Sequence, residues 1–266
     1  MVKKAIKYAI LAFGLLFIYT PIFLLVVFSF TPAITLGSWE GFSFDLYVQL
    51  FNNAKIMGIV KDTVLLALFA SVISTILGTI GAIGIFYSKK KAAAAANVMT
   101  RIPVINAEIV TAISLALIFA AVALQRTYFS LLIGHVVITL PFVVLSVIPK
   151  LKQMDGNLYE AALDLGATPS RALFKVVLPE ILPGIMAGFM LAVTLSLDDY
   201  IVTAFTKPTG FDTISTYVYN SIKVPQHSAL PQLRALSAII FLIIVVVVIV
   251  LNTVNKKQKK FKEIND

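Results

Sequence analysis

The stretch from Lys150 to Pro183, KLKQMDGNLYEAALDLGATPSRALFKVVLPEILP, decides how this chain is organised. It carries a charge every few residues, whereas long runs without charge flank it on both sides. Leu158, Ala162 and Leu165 recur at helical spacing behind Asp155, a residue that can cap a helix, and give a short helix one apolar face. The sequence therefore predicts a water-exposed helix, turn and helix between two membrane spans.

Residues in this segment also predict a turn and a second helix. Gly166 is expected to end the first helix, and Thr168 with Pro169 supplies an N-cap and a first-turn proline for the second. Pro179 is expected to loosen that second helix before the next span begins. A short amphipathic helix on such a loop predicts a segment that docks into a groove of another protein.

The composition indicates a protein that crosses a membrane several times. Hydrophobic residues make up 59% of the 266 positions and charged residues 13%, which leaves too little polar surface for a soluble domain. Because the chain has no cysteine, it offers no disulfide and no thiolate site. The net charge of +9 is explained by lysines beside the membrane, so it does not indicate binding to nucleic acid.

Six stretches with little or no charge are long enough to be membrane helices. The first is interpreted as uncleaved, because its uncharged run exceeds a signal-peptide core and no cleavage site follows. Further helices outside the membrane core are predicted for Asp45–Asn52 and 213–222. The predicted spans of one transmembrane domain, 1–266, are about 8–30, 63–88, 102–124, 129–149, 182–206 and 235–255, with a cytoplasmic loop at 150–181.

The distribution of positive charge predicts the orientation. Most of the 22 Lys and Arg residues fall in segments that share one side of the membrane with the two termini and the 150–181 loop. Because cytoplasmic segments carry an excess of Lys and Arg, the termini and this loop are predicted to be cytoplasmic. The lysine-rich tail at 256–262 is expected to meet anionic membrane lipid.

Glycines and other small residues predict helix packing rather than nucleotide binding. Ser74, Gly78 and Ala82 repeat every four residues in the second span and form the small-residue face that close helix packing in lipid requires. No glycine in the sequence is followed by lysine, so the chain has no phosphate-binding loop of the ATPase type. The chain is therefore not expected to bind ATP itself.

Three acidic residues inside predicted spans are the candidates for contact with a cargo: Glu108 in the third span, and Asp198 and Asp199 in the fifth. An acidic group at mid-membrane costs about 2.5 to 3.5 kcal/mol, so each needs a partner, water or a function. Neighbours on a helix point about 100° apart, so one aspartate is expected to line a pathway and the other to brace a neighbouring helix. No Lys or Arg lies in the middle of a span, which favours a cationic cargo.

The charged segment contains Glu160-Ala161-Ala162, then Gly166 four residues later and Leu178-Pro179 near its end. This pattern resembles the EAA loop of permease subunits of bacterial ABC importers, although Val176 stands where that family has isoleucine. The resemblance implies an all-α, six-span, type I importer fold in which this loop is the coupling helix that docks on a separate ATPase. It implies no catalytic residue, metal or cofactor on this chain, with ATP and Mg²⁺ held by a pair of ATPase subunits. The coupling residues would be Glu160, Ala161, Ala162, Gly166, Leu178 and Pro179.

Over nearly its whole length the chain resembles the permeases of spermidine/putrescine importers, especially in LSLDDYIV at 195–202 and around Pro141 in the fourth span. Such a permease implies a second permease chain, an extracytoplasmic polyamine-binding protein and a place in the bacterial plasma membrane. Carboxylates offset ammonium charge, and an aromatic face attracts a cation. The pathway residues carried over by position are Glu108, Ser196, Asp198, Asp199 and Trp39.

Other interpretations of single residues remain open. Asp198 and Asp199 can be structural groups at a broken helix, and Glu108 can pair with Arg101 or with water. Trp39 suits a membrane-interface anchor. His135, in the fourth span, suits a packed or hydrogen-bonded residue, because a metal site would need ligands that are not nearby in the sequence.

Other functions are also compatible with six spans. An ABC importer of another cargo, such as an amino acid derivative or a metal, is the nearest alternative. A secondary transporter would not need an EAA loop, and its uptake would collapse with an ion gradient. A structural membrane protein would tolerate the loss of all three acids.

Overall fold

The computed structural model describes residues 2–33, 37–223, 231–243 and 245, and in this part of the chain the regular structure is helical. A π-helical turn, Leu173–Val177, joins the helix Pro169–Ala172 to the helix Leu178–Asp198. The helices are α1 (Val2–Phe28), α2 (Asp45–Asn52), α3 (Ala54–Tyr87), α4 (Lys90–Ile105), α5 (Glu108–Ala121), α6 (Tyr128–Gln153), α7 (Asn157–Asp164), α8 (Pro169–Ala172), α9 (Leu178–Asp198), α10 (Ile201–Thr206), α11 (Ile214–Lys223) and α12 (Pro231–Ile243).

Four helical stretches in the described residues are long and apolar enough to cross a membrane: Ile6–Phe28, α3, α6 and the continuous run Pro169–Asp198. The pair α4 and α5 makes a fifth if it is counted as one span, and α12 is a shorter apolar helix. These helices confirm an all-α, multi-pass protein. The count of six spans and the orientation stay predictions, because the end of the sixth span and the lysine-rich tail lie outside the described residues.

The chain divides into two compact units, one formed by its two ends, to Met57 and from Val218, and the other by Gly58–Tyr217. In the first unit, α2 has the predicted bounds and buries Leu46 and Leu50. An aromatic cluster combines Tyr47 of α2 with rings that precede the helix, and the Tyr47 and Ser29 hydroxyls lie 2.7 Å apart, within hydrogen-bond distance. The cluster consists of Phe30, Phe42, Phe44 and Tyr47.

In the unit Gly58–Tyr217, α6 is the central helix. A Cβ atom on Gly78 of α3 would lie 2.8 Å from Val143 Cβ, and one on Gly188 of α9 would lie 3.1 Å from Val143 Cα. Real Cβ atoms essentially never approach as closely as 2.8 Å, so α3 contacts α6 at a distance that requires glycine at position 78, and the contact of α9 with α6 is tighter than most. The predicted small-residue face of α3 is confirmed: Ala82 is fully buried, and the Ser74 hydroxyl lies 2.6 Å from that of Thr139.

The close approach at Gly78 gives a stability prediction. Gly78→Leu is expected to destabilise the protein by about 1–3 kcal/mol or more, because a side chain there overlaps Val143. Gly84→Leu is the matched control, since no atom lies within 4 Å of a Cβ at that position on the same helix. Thermal unfolding of the purified variants measures the effect, and equal midpoints for the two would contradict the packing described here.

Two predicted spans are broken, and both breaks carry acidic residues. The third divides into α4 and α5, which are bent by 104°, so Glu108 lies in the first turn of α5 rather than inside one continuous span. The extended conformation of Asn106 and Ala107 makes this bend. The fifth ends as α9 at Asp198, and Asp199 adopts an extended conformation before α10. The prediction that Asp198 and Asp199 are neighbours on one helix is therefore wrong.

The segment from 154 to 179 follows the predicted helix, turn and helix. Gly166 has a φ of +84° after α7, and the Thr168 hydroxyl accepts a hydrogen bond from the Arg171 N–H, as predicted. Gly156 occupies the N-cap position of α7, and the Asp155 carboxylate accepts the N–H of Asn157, the first residue of the helix, so Asp155 caps it as predicted. The π-helical turn, where the Leu178 N–H bonds to the Leu173 C=O, loosens the second helix just before Pro179, as predicted, and accommodates the missing N–H of the proline.

Candidate functional site

The centre of the site is the break between α9 and α10, where the Asp199 carboxylate is 4% exposed. Its Oδ1 accepts the Val202 N–H at 3.1 Å, and its Oδ2 accepts the Thr203 N–H at 2.7 Å and the Thr203 hydroxyl at 2.6 Å. These donors belong to the first turns of α10, whose N–H groups have no partner within the helix. Asp199 therefore acts as the cap that allows the span to break and restart.

A buried histidine on α6 extends this group of hydrogen bonds. His135 is fully buried; its Nδ1 lies 2.7 Å from Ser196 Oγ and its Nε2 3.0 Å from Thr203 Oγ1. The same Nε2 is 3.6 Å from Asp199 Oδ2. The Ser196 side chain is thus held inside the helix packing against His135. The prediction that His135 is a hydrogen-bonded span residue is confirmed, but its connection with the aspartates was not predicted.

Asp198 and Glu108 have different surroundings from Asp199. Both side chains are exposed, and Glu108 interacts electrostatically with Asp199 and with Asp198. In the part of the chain that the structure describes, Lys207 and Asp212 form an ion pair, and Glu108 has no Lys or Arg partner. The suggested pairing of Glu108 with Arg101 is therefore wrong, because the break at Asn106 separates the two helices that carry them. The site therefore holds one buried carboxylate, Asp199, and two exposed ones, of which Glu108 also shares a side-chain hydrogen bond with Asp199.

A cavity of about 200 Å³ lies beside Glu108. Polar groups line one part of it, and the remaining wall is apolar and includes one aromatic ring from α6, Phe142. A carboxylate beside apolar walls can bind a cation that also carries hydrocarbon. The lining residues are Pro103, Val104, Asn106, Glu108, Thr111, Ile138, Phe142 and Leu195.

The helix–turn–helix segment forms a second candidate site. Glu160 and Ala161 are exposed on α7, and the Tyr159 ring contacts Tyr87 at the end of α3, with ring centroids 5.4 Å apart. Large apolar side chains are also exposed here: Leu165 is 90% and Phe174 67% exposed. Exposed apolar groups on a charged segment are typical of a surface that another protein covers. Of the other coupling residues, Gly166 and Pro179 are exposed, and Ala162 and Leu178 half-buried.

Trp39 lies in the unit formed by the chain ends, in the segment before α2, and its side chain is 53% exposed. The exposed rings of Phe42 and Phe44 are close to it in sequence. This setting is compatible with an interface anchor and with a contact to cargo, so both interpretations of Trp39 stay predictions.

A metal site is the remaining possibility for acidic residues and histidine. In the ranges that the structure describes, no group of three or more His, Cys, Asp or Glu residues has an arrangement that could hold a metal ion. The hydrogen bonds of His135 go to hydroxyl groups, which organise a carboxylate rather than a cation.

The broken spans, the helical packing and the exposed helix–turn–helix segment define a membrane transport component. Residues 74–259 match the family model described as binding-protein-dependent transport system inner membrane component. This match covers more than half of the chain. The chain therefore belongs to that family, whose members are components of membrane transport systems and are not themselves enzymes.

Two curated relatives align with most of the chain. It is 33% identical over 224 residues to the spermidine/putrescine transport system permease protein PotC of Haemophilus influenzae, covering 84% of this chain and 86% of that protein. It is 30% identical over 247 residues to the putrescine transport system permease protein PotI of Escherichia coli strain K12, covering 90% of this chain and 87% of the relative. The predicted resemblance to spermidine/putrescine permeases is confirmed.

Solved structures share the fold. A bacterial ABC transporter that imports the acidic polysaccharide alginate superposes with a TM-score of 0.74 at 16% identity, covering 96% of each chain. A second alginate ABC transporter structure, in complex with a periplasmic protein bound to an alginate pentasaccharide, has a TM-score of 0.68 at 20% identity, covering 94% of this chain and 91% of that one. Because this fold also occurs in importers of a polyanion, the cargo must be argued from the site rather than from the fold.

Proposed function

We propose that this chain is a permease subunit of an ATP-driven importer that moves polyamines, spermidine and putrescine, across the plasma membrane into the cell. The two curated relatives described above carry polyamine names and align with most of the chain. The observation that carries the proposal is the exposed Glu108 carboxylate in the lining of a cavity with mostly apolar walls. The exposed Asp198 carboxylate is near enough to interact with Glu108 electrostatically.

The three acidic residues have different roles because their side chains have different partners. Asp199 already accepts three hydrogen bonds within the protein, so its charge serves the break between α9 and α10. Asp198 and Glu108 are open to a ligand, and each can accept hydrogen bonds from an ammonium group. The apolar cavity wall then suits the methylene chain of a polyamine, and the Phe142 ring offers a face to its charge.

The partners and the orientation complete the proposal. A binding protein delivers polyamine on the outer side, a second permease chain completes the pathway, and a pair of ATPase subunits binds ATP and Mg²⁺ against α7 on the cytoplasmic side. ATP-driven closure of the ATPase pair moves the α7 helices of the two permeases together and opens the pathway outward. The Asp198 and Glu108 site then binds cargo weakly, since a deep electrostatic well would retain a cation that must move on.

Uptake in whole cells tests cargo and energy source together. Cells without their own polyamine importer, expressing this chain with its partners, are expected to accumulate radiolabelled putrescine and spermidine. Accumulation should stop when ATP is depleted and persist when ion gradients are collapsed while ATP is maintained. Loss of uptake when only the ion gradient is collapsed would favour a secondary transporter. An assembled complex that takes up neither polyamine would contradict the proposed cargo.

A further prediction concerns the coupling surface on α7. Glu160→Ala is expected to lower ATP-dependent uptake at least about tenfold, because the exposed carboxylate loses a charge-assisted contact with the ATPase. Co-purification of the ATPase and ATP hydrolysis by the complex measure the contact directly. Asp164→Asn, an exposed acid later on the same helix, is the control. Unchanged uptake and hydrolysis for Glu160→Ala would exclude this residue from coupling.

A further inference from the structure

His135 connects three helices at the point where the fifth span breaks. Its ring belongs to α6, Ser196 belongs to the last turn of α9, and Thr203 belongs to α10. The ring is fully buried, and both of its nitrogen atoms lie within hydrogen-bond distance of a hydroxyl. A buried ring with both nitrogens satisfied is fixed in orientation, because any rotation would leave polar groups unpaired.

The direction of these hydrogen bonds follows from counting protons. The Thr203 hydroxyl has one proton, and it donates that proton to Asp199 Oδ2 at 2.6 Å. It must therefore accept from His135 Nε2–H at 3.0 Å. A neutral ring then has Nδ1 as an acceptor, and Ser196 donates to it at 2.7 Å. The bonds run in one direction from Ser196 through His135 and Thr203 to the Asp199 carboxylate.

Packing beside His135 holds α10, the helix that follows the break, against α6. A Cβ atom on Gly134 would lie 2.9 Å from Val202 Cγ1, so α10 approaches α6 too closely for a larger residue. One turn earlier on α6, the Ser130 hydroxyl lies 3.0 Å from the Thr206 carbonyl oxygen. His135 adds a hydrogen bond to Ser196 of α9, the helix that precedes the break. Its ring is thus bonded to residues on both sides of the break.

We propose that His135 is a positioning residue for transport: it fixes the geometry of the α9–α10 break and so keeps the Asp198 carboxylate exposed beside Glu108. Asp198 is the last residue of α9, two residues after Ser196, so a change in the break changes where its side chain points. His135 does not touch the cargo, because its ring is fully buried. The inference rests on the proposed function in assigning the ammonium groups to Asp198 and Glu108.

A thiol at position 198 reports this geometry without any transport measurement. The chain has no cysteine, so Asp198→Cys introduces a single thiol on it. A cationic methanethiosulfonate reagent is applied to membranes that contain the assembled transporter, and labelling is followed by the mass shift of this chain. The labelling rate is expected to fall about tenfold when His135→Leu is added. Without the hydrogen bonds of the buried ring, the geometry of the break changes and residue 198 is no longer held in its exposed position.

Two conservative variants separate positioning from space filling. His135→Gln keeps a polar atom near the place of Nε2, and His135→Asn keeps one near the place of Nδ1. If His135 positions the break, both retain more labelling and more polyamine uptake per assembled transporter than His135→Leu does. If the ring only fills space, leucine is tolerated at least as well as the two amides, and that result would overturn the inference.

The controls distinguish failure of this inference from failure of the proposed function. Ser146→Ala on α6 removes a hydroxyl that bonds only to the Phe142 carbonyl of its own helix among the described contacts, and it should leave labelling and uptake unchanged. Wild-type complexes that take up no polyamine would overturn the proposed function but leave the labelling experiment valid. Labelling that does not change with any His135 variant would overturn the positioning role, whatever the cargo is.

Discussion

Asp198→Asn is expected to lower polyamine uptake per assembled transporter by about ten- to a hundredfold, because it removes a charged hydrogen-bond acceptor of about 1.5–3 kcal/mol from the pathway. Asparagine has nearly the same shape, so the loss reflects charge. The residue ends α9, where a negative charge is unfavourable to the helix dipole, so fold stability does not explain a carboxylate there.

The measurement is radiolabelled spermidine uptake, normalised to complex that co-purifies with the ATPase. Thermal stability should stay at the wild-type value or rise slightly. Asp45→Asn is the control for a general loss of negative charge, because that carboxylate is also exposed but lies in α2. Full uptake by Asp198→Asn would exclude Asp198 from the pathway.

Asp199→Leu is expected to destabilise the protein by about 3–5 kcal/mol, because it leaves buried donors without their acceptor. These donors are the Val202 N–H, the Thr203 N–H and the Thr203 hydroxyl. Yield after extraction and the midpoint of thermal unfolding should both fall. Asp199→Asn is expected to have a smaller effect, since an amide keeps one acceptor oxygen for three donors.

Asp198→Leu is the matched control for this stability effect. It makes the same substitution one residue earlier, at an exposed position. It should leave the unfolding midpoint near the wild-type value although it stops transport. Equal destabilisation by the two leucine variants would contradict the assignment of a structural role to Asp199 and a ligand role to Asp198.

Sequence patterns predicted the parts of the fold that depend on local chemistry. The bounds of α2, the φ-positive turn at Gly166 and the N-cap at Thr168 all follow from residue preferences within a few positions. The small-residue face at Gly78 was also predictable, because close packing in lipid requires it. Three acids in spans of low charge were sufficient to select the candidate site.

The break in the third span was not predicted, and a break in the fifth was only an alternative interpretation of Asp198 and Asp199, because hydropathy measures apolar content and not helix continuity. Asp199 ends α9 by offering its carboxylate to the N–H groups of α10, and this depends on the backbone rather than on residue spacing. His135 was missed as part of the site, since Ser196 and Thr203 are 61 and 68 positions away in sequence. The polar run Ser196, Asp198, Asp199 and Thr203 within one apolar span was the signal that could have indicated a break.

Uptake by the purified transporter reconstituted in proteoliposomes tests the central claim most directly. This chain is assembled with its permease partner, ATPase pair and binding protein, with ATP on the ATPase side, and radiolabelled spermidine is followed together with ATP hydrolysis. We expect spermidine accumulation that requires ATP, is competed by putrescine and is not competed by phosphate. Assembled transporters that hydrolyse ATP but accumulate no polyamine, or that accumulate it without ATP, would contradict the central claim.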